Sequence, residues 1–456
     1  MKMTLNLFFV IISIQAFSQA VIPGDSPLEF KWKYVGSPDF TGSDCYWFSF
    51  TLGPDGTPYA SYGIQTGYTT YLPAVKKFDG TQWVFVGSHP FGNGYYDYPS
   101  LAVSPSGEPY LAFEECSPYC HASCMKYNGS DWVYVNSQGD LLGGEAEYIN
   151  MNFSPAGEPW VVFSEMQDSE KVSVKKYDGT QWNYVGPSGF SEPFAIQDCL
   201  AFSASGEAYV AYRYGNPPYI RIRKFDGTNW VTVGTPILQE GFFLSLAVDT
   251  SGNPWVAFDD YSVNFRLSVM RFDGSQWIYF GQPGISSTRI SNAIIAFNPS
   301  GEPWVTYSGY TNNTWVSVIR FYGNQWVYVG DSIISPNSSD PVNLVFRSNG
   351  EPFVGFCHTG CNVVKYDSLY TGIWLNQLGK MLLYPNPATS FITINLSIQE
   401  TLEQTLKITD LRGIRMLEKP LSGNIMNLDI SDFPSGIYFV EITCRESSFY
   451  GKFCKK

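Results

Sequence analysis

The sequence predicts an all-β protein: a seven-bladed β-propeller closed by its own N-terminal strand, followed by a second, small all-β unit. Two series of residues and the offset between them carry that prediction. Trp32, Trp83, Trp132, Trp182, Trp230, Trp277 and Trp326 recur about every fifty residues, a period that marks a propeller or solenoid. Gly56, Gly107, Gly157, Gly206, Gly252, Gly301 and Gly350 keep the same interval, each well behind a tryptophan. A tryptophan opens the series before any glycine turn, and the last glycine turn has no tryptophan after it. A ring whose last blade takes its outer strand from the N-terminus requires that offset.

One repeat shows why the blades are four-stranded. Leu101–Ala102–Val103 is short, apolar and bounded by turn residues, so it reads as the first strand. Pro105–Ser106–Gly107 follows, with proline presetting the first turn position and glycine supplying the left-handed residue of a bulged hairpin. Tyr110–Leu111–Ala112–Phe113 is the second strand, and Met125–Lys126–Tyr127 begins the third. Asn128–Gly129 is a strong hairpin signal, and Trp132–Val133–Tyr134–Val135 is the fourth strand.

The other copies keep these rules. An aromatic stands three residues after each turn glycine (Tyr59, Tyr110, Trp160, Tyr209, Trp255, Trp304, Phe353) and another six after it (Tyr62, Phe113, Phe163, Tyr212, Phe258, Tyr307, Phe356). These second strands are apolar on both faces, as in a blade sandwiched between neighbours, so the rings read as core. Small residues at Ala102, Ala201, Ala247 and Ala296 suit a first strand at a crowded axis. The third-to-fourth turns fall at Asp79, Asn128, Asp178, Asp226 and Asp273, with Tyr322–Gly323 a degenerate sixth. The seventh copy reaches Tyr366–Asp367 without glycine or tryptophan, so Phe30 to Val35, carrying Trp32, must supply its fourth strand beside Asn362–Tyr366.

Composition bounds the rest. At 456 residues the chain is too long for one ordinary core, a limit that a ring of small blades escapes. Hydrophobic residues are 44% and charged residues 15%, which excludes a disordered polyelectrolyte. A net charge of −13 argues against nucleic acid and anionic membrane as partners. Residues 1–18 read as a signal peptide: Lys2, an apolar run from Leu5 to Ile14, then Ala16–Phe17–Ser18. A buried first strand is the alternative for that stretch. The propeller then occupies 19–368 and a linker 369–381. No later stretch approaches the ~18 apolar residues of a membrane helix.

The tail, 382–456, has its own order of motifs. Tyr384–Pro385–Asn386–Pro387–Ala388 leads to Ile392–Thr393–Ile394, then to Leu406–Lys407–Ile408–Thr409–Asp410 before Gly413. Leu428–Asp429–Ile430–Ser431 and Pro434–Ser435–Gly436–Ile437–Tyr438–Phe439–Val440 follow, and the chain ends Lys452–Phe453–Cys454–Lys455–Lys456. This order resembles the type A C-terminal sorting domain of the type IX secretion system. The resemblance implies an immunoglobulin-like β-sandwich that engages the secretion machinery and directs cargo across the outer membrane, to be released or attached at the surface. It places the sorting signal on Pro385, Asn386, Pro387, Gly413, Gly436, Tyr438, Lys452 and Lys455. Cys454 departs from the aliphatic residue usual near that end.

Candidate site residues come from the loops that vary between repeats, because rigid scaffolds carry function on such loops. The second-to-third loops supply Glu114, Glu115, Glu165, Arg213, Tyr214, Asp259, Asp260, Tyr261, Tyr310 and His358, with Tyr68, Tyr96, Tyr98, Tyr119 and Tyr219 nearby. Of these, Glu115, Glu165, Tyr214, Asp260, Tyr261, Tyr310 and His358 form the expected ligand-binding set. Rings stack on sugar faces and acids accept hydroxyl protons, so a glycan is the expected ligand, with a surface protein as the alternative. Solvated loop residues would look the same.

No nucleophile elbow, zinc-protease helix or phosphate loop occurs, and three histidines offer little to a metal site or triad. No catalytic residue, metal or cofactor is therefore assigned. Binding is favoured over catalysis, with a glycosidase or lyase using paired carboxylates as the rival and an adhesive spacer as a third reading. Nine cysteines in an exported chain favour disulfides over metal, with Cys116–Cys124 and Cys357–Cys361 as candidate loop staples.

Overall fold

The computed structural model describes residues 32–366 and 380–456, apart from 43–45, 68–69, 93–94, 117–119, 140, 142–143, 217, 239–242, 312–313, 337–338, 385–387, 398–403, 411–413, 422–424 and 444–447. The expected signal peptide (1–18), the proline corner Pro385–Pro387 and Gly413 lie outside the described residues, as does most of the expected linker.

Seven antiparallel sheets form the propeller. The second blade is typical, with strands Tyr95–Val103, Pro109–Cys116, Cys120–Tyr127 and Trp132–Tyr134 in consecutive order. The seventh blade has Ser339–Phe346, Pro352–Cys357 and Cys361–Tyr366 from its own repeat, and Trp32–Tyr34 as its outermost strand. Trp32 faces Tyr366, Lys33 faces Lys365 and Tyr34 faces Val364. First strands of successive blades pack on one another around the whole circle, and Ser339–Phe346 returns to Tyr46–Leu52. First strands are therefore innermost and the ring is shut.

No single core holds this ring. Each interface between neighbouring blades has its own apolar cluster, such as Ala102, Tyr110, Met151 and Phe163 between the second and third. The aromatics three and six residues after each turn glycine are all buried, as their two-sided pattern predicts.

Adjacent blades are also latched by hydrogen bonds. Trp83, Trp132, Trp230 and Trp277 each donate Nε1–H to a valine carbonyl of the preceding blade, Val35, Val86, Val185 and Val233, at 2.7–3.0 Å. Trp326 does the same to Phe280 at 2.9 Å, and Trp32 to Val329 at 2.8 Å. In each case the acceptor precedes a glycine with positive φ, as at Gly36, Gly234 and Gly281. A Cβ on Gly281 would stand 2.8 Å from the Trp326 ring, which is why the position stays bare. Trp182 is the exception, because Asn136 occupies the glycine position. The Val135 carbonyl accepts Tyr177 instead, at 3.3 Å, and Trp182 Nε1 has no partner among the described residues. Nearer the axis, Ser49, Ser100, Asn150 and Ser245 accept backbone amides of the next first strand at 2.8–3.2 Å.

The turns explain the glycine beat. Each first-to-second turn glycine has φ between 80° and 92°, the left-handed residue of a bulged hairpin. The third-to-fourth turns are four-residue loops in which the leading side chain does the bonding. Asp79 Oδ1 accepts the amides of Thr81 and Gln82, both at 2.8 Å, and Asp178, Asp226 and Asp273 repeat this. Asn128 does so as a neutral amide. The sixth copy alone uses two residues, Gly323 and Asn324, both left-handed, as a mirrored hairpin turn requires.

Those donors hold the four aspartate carboxyls below their ordinary value: chiefly the Gln82, Asn229 and Gln276 amides at Asp79, Asp226 and Asp273, and the Thr180 hydroxyl at Asp178. A carboxyl depressed on folding stabilises the native state above its unfolded pKa, and that contribution is lost as pH falls through the folded value. Replacing all four by asparagine, as nature has at Asn128, is expected to flatten the loss of stability below about pH 4. Urea midpoints measured from neutral to acid pH check this; identical acid limbs in the two proteins would refute it.

The tail folds as a sandwich of two sheets. One pairs Lys380–Tyr384, Phe391–Ser397 and Ile425–Asp429; the other pairs Arg415–Leu421, Gln404–Asp410, Gly436–Thr443 and Ser448–Lys455. Alternating residues Ile392, Ile394, Leu406, Ile408, Val440 and Ile442 fill the space between them. Gly436 opens a strand, and Tyr438 is buried with its hydroxyl donating to the Pro434 carbonyl at 2.6 Å. Lys452 and Lys455 lie on the final strand, whose end is tied down by Ala388 through Lys456 N to Ala388 O at 2.9 Å.

Candidate functional site

No contact joins one sequence-predicted ligand residue to another among the contacts seen. Glu115, Glu165, Tyr214, Asp260 and His358 all stand eight residues after a turn glycine, and the first four are strand residues rather than loop residues. The partners seen for each lie within its own blade or at the ring seam. Glu115 is buried and accepts from Ser123 Oγ at 2.9 Å and Tyr134 OH at 3.0 Å, with His121 Nε2 at 3.2 Å. Asp260, fully buried, accepts from Ser262 N and Oγ, Ser268 Oγ and Tyr279 OH at 2.6–3.0 Å. Glu165 accepts from Tyr184 OH at 3.1 Å. Tyr214 lies under the Arg221 guanidinium, 4.9 Å from its ring centre. His358 stands 3.6 Å from Asp39, in the segment that locks the seventh blade.

Tyr261 and Tyr310 are exposed. The first meets Phe265 edge-on at 5.2 Å, and Arg289 stacks on the second at 5.1 Å.

The cysteines pair differently from expectation. Cys116 is bonded to Cys120, its direct partner across the hairpin end, while Cys124 lies farther down the strand opposite Ala112. Cys357 is disulfide-bonded, but not to Cys361, which faces it in register yet lies outside any disulfide.

What does converge is the variable-face end of the innermost strands, which the sequence pattern left as loop. The first strand of the second blade begins at Tyr95 rather than Leu101, with a register irregularity between Asp97 and Ser100. The first and third blades have the same irregularity, between Tyr46 and Ser49 and between Glu147 and Asn150. Within each lies one aromatic in left-handed backbone: Trp47 (φ 54°), Tyr98 (φ 45°) and Tyr148 (φ 54°). Bulky residues adopt that region at a cost, so the surrounding structure must impose it. The result is an arc of rings on three neighbouring inner strands. Trp47 and Tyr98 have centroids 5.7 Å apart, and Tyr98 and Tyr148 5.5 Å. Tyr46, Tyr71 and Tyr95 extend the aromatic surface in the first two blades, at 4.1 and 6.4 Å spacings.

Carboxylates line this arc. Asp97 stands opposite Glu114 in register, and Glu114 Oε1 accepts the Ala146 amide of the next blade at 3.1 Å. Burial pushes the Glu114 carboxyl up to about 7, with Glu145, Asp97 and Glu147 adding repulsion against the Ala146 amide. Burial likewise pushes Asp97 up to about 6, against the Tyr98 amide and the Tyr95 hydroxyl. Glu147 is raised by burial and by Glu170 and Glu145, with the Tyr98 hydroxyl opposing. On the far side Arg213 faces Asp259 and Tyr148. Tyr98, Glu114, Arg213 and Asp259 were within reach of sequence reasoning; Trp47, Asp97, Tyr148 and Glu147 were not. A period-fifty alignment of Trp47, Tyr98 and Tyr148 is the signal that finds them.

Residues 382–456 match the secretion system C-terminal sorting domain. This is a type IX secretion tail. A protein bearing this sorting domain is secreted or attached to the cell surface, and no helix among the described residues is long and apolar enough to cross a membrane.

Part of the chain is similar to several solved structures. An ulvan-degrading polysaccharide lyase is 12% identical at a TM-score of 0.49, over 74% of this chain and 94% of that one. An α-L-arabinofuranosidase of Fusarium graminearum is 13% identical at 0.45, over 67% and 99%. A mutant of the Aleuria aurantia lectin is 16% identical at 0.42, over 59% and 90%. These likenesses are too distant to speak for a ligand or a reaction. No curated protein matches the chain.

Proposed function

We propose that this exported propeller is a binding protein that holds a glycan at the variable-face mouth of its axis. One observation carries the reading: Trp47, Tyr98 and Tyr148 are held in left-handed backbone so that their rings form one arc on neighbouring inner strands. Strained backbone clusters at functional sites, where the surrounding structure holds it in place. Rings stack on the apolar faces of sugars, and the flanking acids accept hydroxyl protons. Each of Trp47→Ala, Tyr98→Ala and Tyr148→Ala is expected to weaken glycan binding by about tenfold, ~1.4 kcal/mol. A glycan array followed by calorimetry on the best binder reads this. Ring variants that bind as the parent does would end the proposal.

A second reading draws on Asp97 and Glu114, which face each other with carboxyls raised to about 6 and about 7. Such shifts suit a general acid and base, as in a hydrolase or lyase. Release of new chain ends from a polysaccharide, abolished by Asp97→Asn and by Glu114→Gln, would favour it over simple binding.

A further inference from the structure

We propose that the sugar chain received at this mouth carries free amines, as a de-N-acetylated hexosamine polymer does, with its ammonium groups against Asp97 and Glu147 beside the Tyr98 ring. This deepens the glycan reading above and rests on it. The first ground is the arc itself: Trp47 is 37% and Tyr46 43% exposed, so apolar ring faces meet solvent at the mouth. Cations are attracted to such faces.

The second ground is charge complementarity. Asp97 stands in register with Glu114; Glu147 raises both carboxyls, Asp97 and Glu145 add to that of Glu114, and Glu145 and Glu170 raise Glu147 itself. Among the described residues no lysine or arginine forms an ion pair with Asp97, Glu114 or Glu147; the Tyr98 amide donates to Asp97 at 2.8 Å and the Ala146 amide to Glu114 at 3.1 Å. The Arg213 guanidinium interacts instead with Asp259 and Tyr148. Three carboxylates sharing a partly buried site without a cation are under mutual strain, which an incoming ammonium relieves. A neutral sugar offers them hydroxyl donors but no compensating charge, and a uronate or sulfated sugar adds to the repulsion. A lysine-rich peptide would satisfy the charges too, but it has no flat face for three successive rings.

The test uses the full chain and four probes of equal length: a β-1,4-glucosamine oligomer, its N-acetylated counterpart, a uronate oligomer and oligolysine. The glucosamine oligomer is expected to bind at least about tenfold more tightly than the N-acetylated one, and the uronate not at all. Asp97→Asn with Glu147→Gln should erase that preference, bringing the glucosamine oligomer to the affinity of the N-acetylated one. Trp47→Ala should weaken both hexosamine oligomers.

The pH response gives an independent sign. As pH falls below about 6, Asp97 joins Glu114 in losing its charge while an already protonated amine keeps its own, so affinity for glucosamine should drop. Equal binding of the two hexosamine oligomers, or affinity rising on acidification, overturns the amine assignment but leaves the glycan reading standing. Binding of oligolysine alone, or no binding of any sugar, overturns both.

Discussion

Replacing Trp32 by alanine is expected to destabilise the propeller by about 3 kcal/mol, the scale for truncating a packed indole. Its consequences should exceed those of a single lost side chain. Trp32 contributes the Nε1–H bond to Val329 and the ring contact with Tyr366 at 5.3 Å, and both close the circle. The neighbouring segment adds its own grip. Asp39 accepts from Gly360 N at 3.0 Å and Asn362 Nδ2 at 2.8 Å, and the Thr41 hydroxyl accepts from Cys361 N at 2.9 Å. Adding Asp39→Ala strands two donors at the seam and should cost a further ~1–3 kcal/mol. With the seam open, the edge of Cys361–Tyr366 is unpaired and invites association. Urea unfolding and size-exclusion chromatography together check this. A Trp32→Ala protein that unfolds where the parent does and elutes as the parent does would mean that the ring is held shut by something else.

The second large effect concerns Asp260. Changing it to alanine removes the acceptor for Ser262 N, Ser262 Oγ, Ser268 Oγ and Tyr279 OH in a fully buried setting, so a loss of about 3 kcal/mol is expected. Ligand affinity, measured well below the unfolding transition, should not change. Its exposed neighbour Tyr261 serves as the contrast: Tyr261→Ala should leave stability nearly untouched. Should Asp260→Ala instead keep full stability and lose binding, the acid belongs to a ligand site after all.

Asp260 also shows where the sequence spoke and where it fell silent. The ring was legible because glycine and tryptophan recur with a fixed period and a telling offset, and both depend only on local chain geometry. Glu115, Glu165 and Asp260, each eight residues past a turn glycine, read as loop residues because polar side chains end an apolar run. Their hydroxyl partners, Ser123 and Tyr134 for Glu115, sit on other strands, and no spacing within one strand points to them. The arc was hidden for a different reason. A register irregularity breaks the in–out alternation, so Tyr95 to Pro99 carries no strand period. Trp47, Tyr98 and Tyr148 take a backbone region that sequence reasoning assigns to glycine or asparagine. The latch glycines stood in plain view four residues after six of the seven repeat tryptophans, but their role is to admit the next blade's indole, a relation between repeats rather than within one.

The seam has a consequence for how the molecule comes into being. Trp32 and Val329 are 297 positions apart, whereas every other strand of the wheel pairs with a near neighbour along the chain. Hairpins can therefore form early and cheaply, one after another, while the final weld must wait until the seventh repeat exists. Until then the N-terminal ribbon has nothing to grasp, and the half-made arc ends in a raw margin. Synthesis stalled at any earlier point leaves an adhesive intermediate, so chaperone dependence should concentrate in that interval and vanish once the two ends have met.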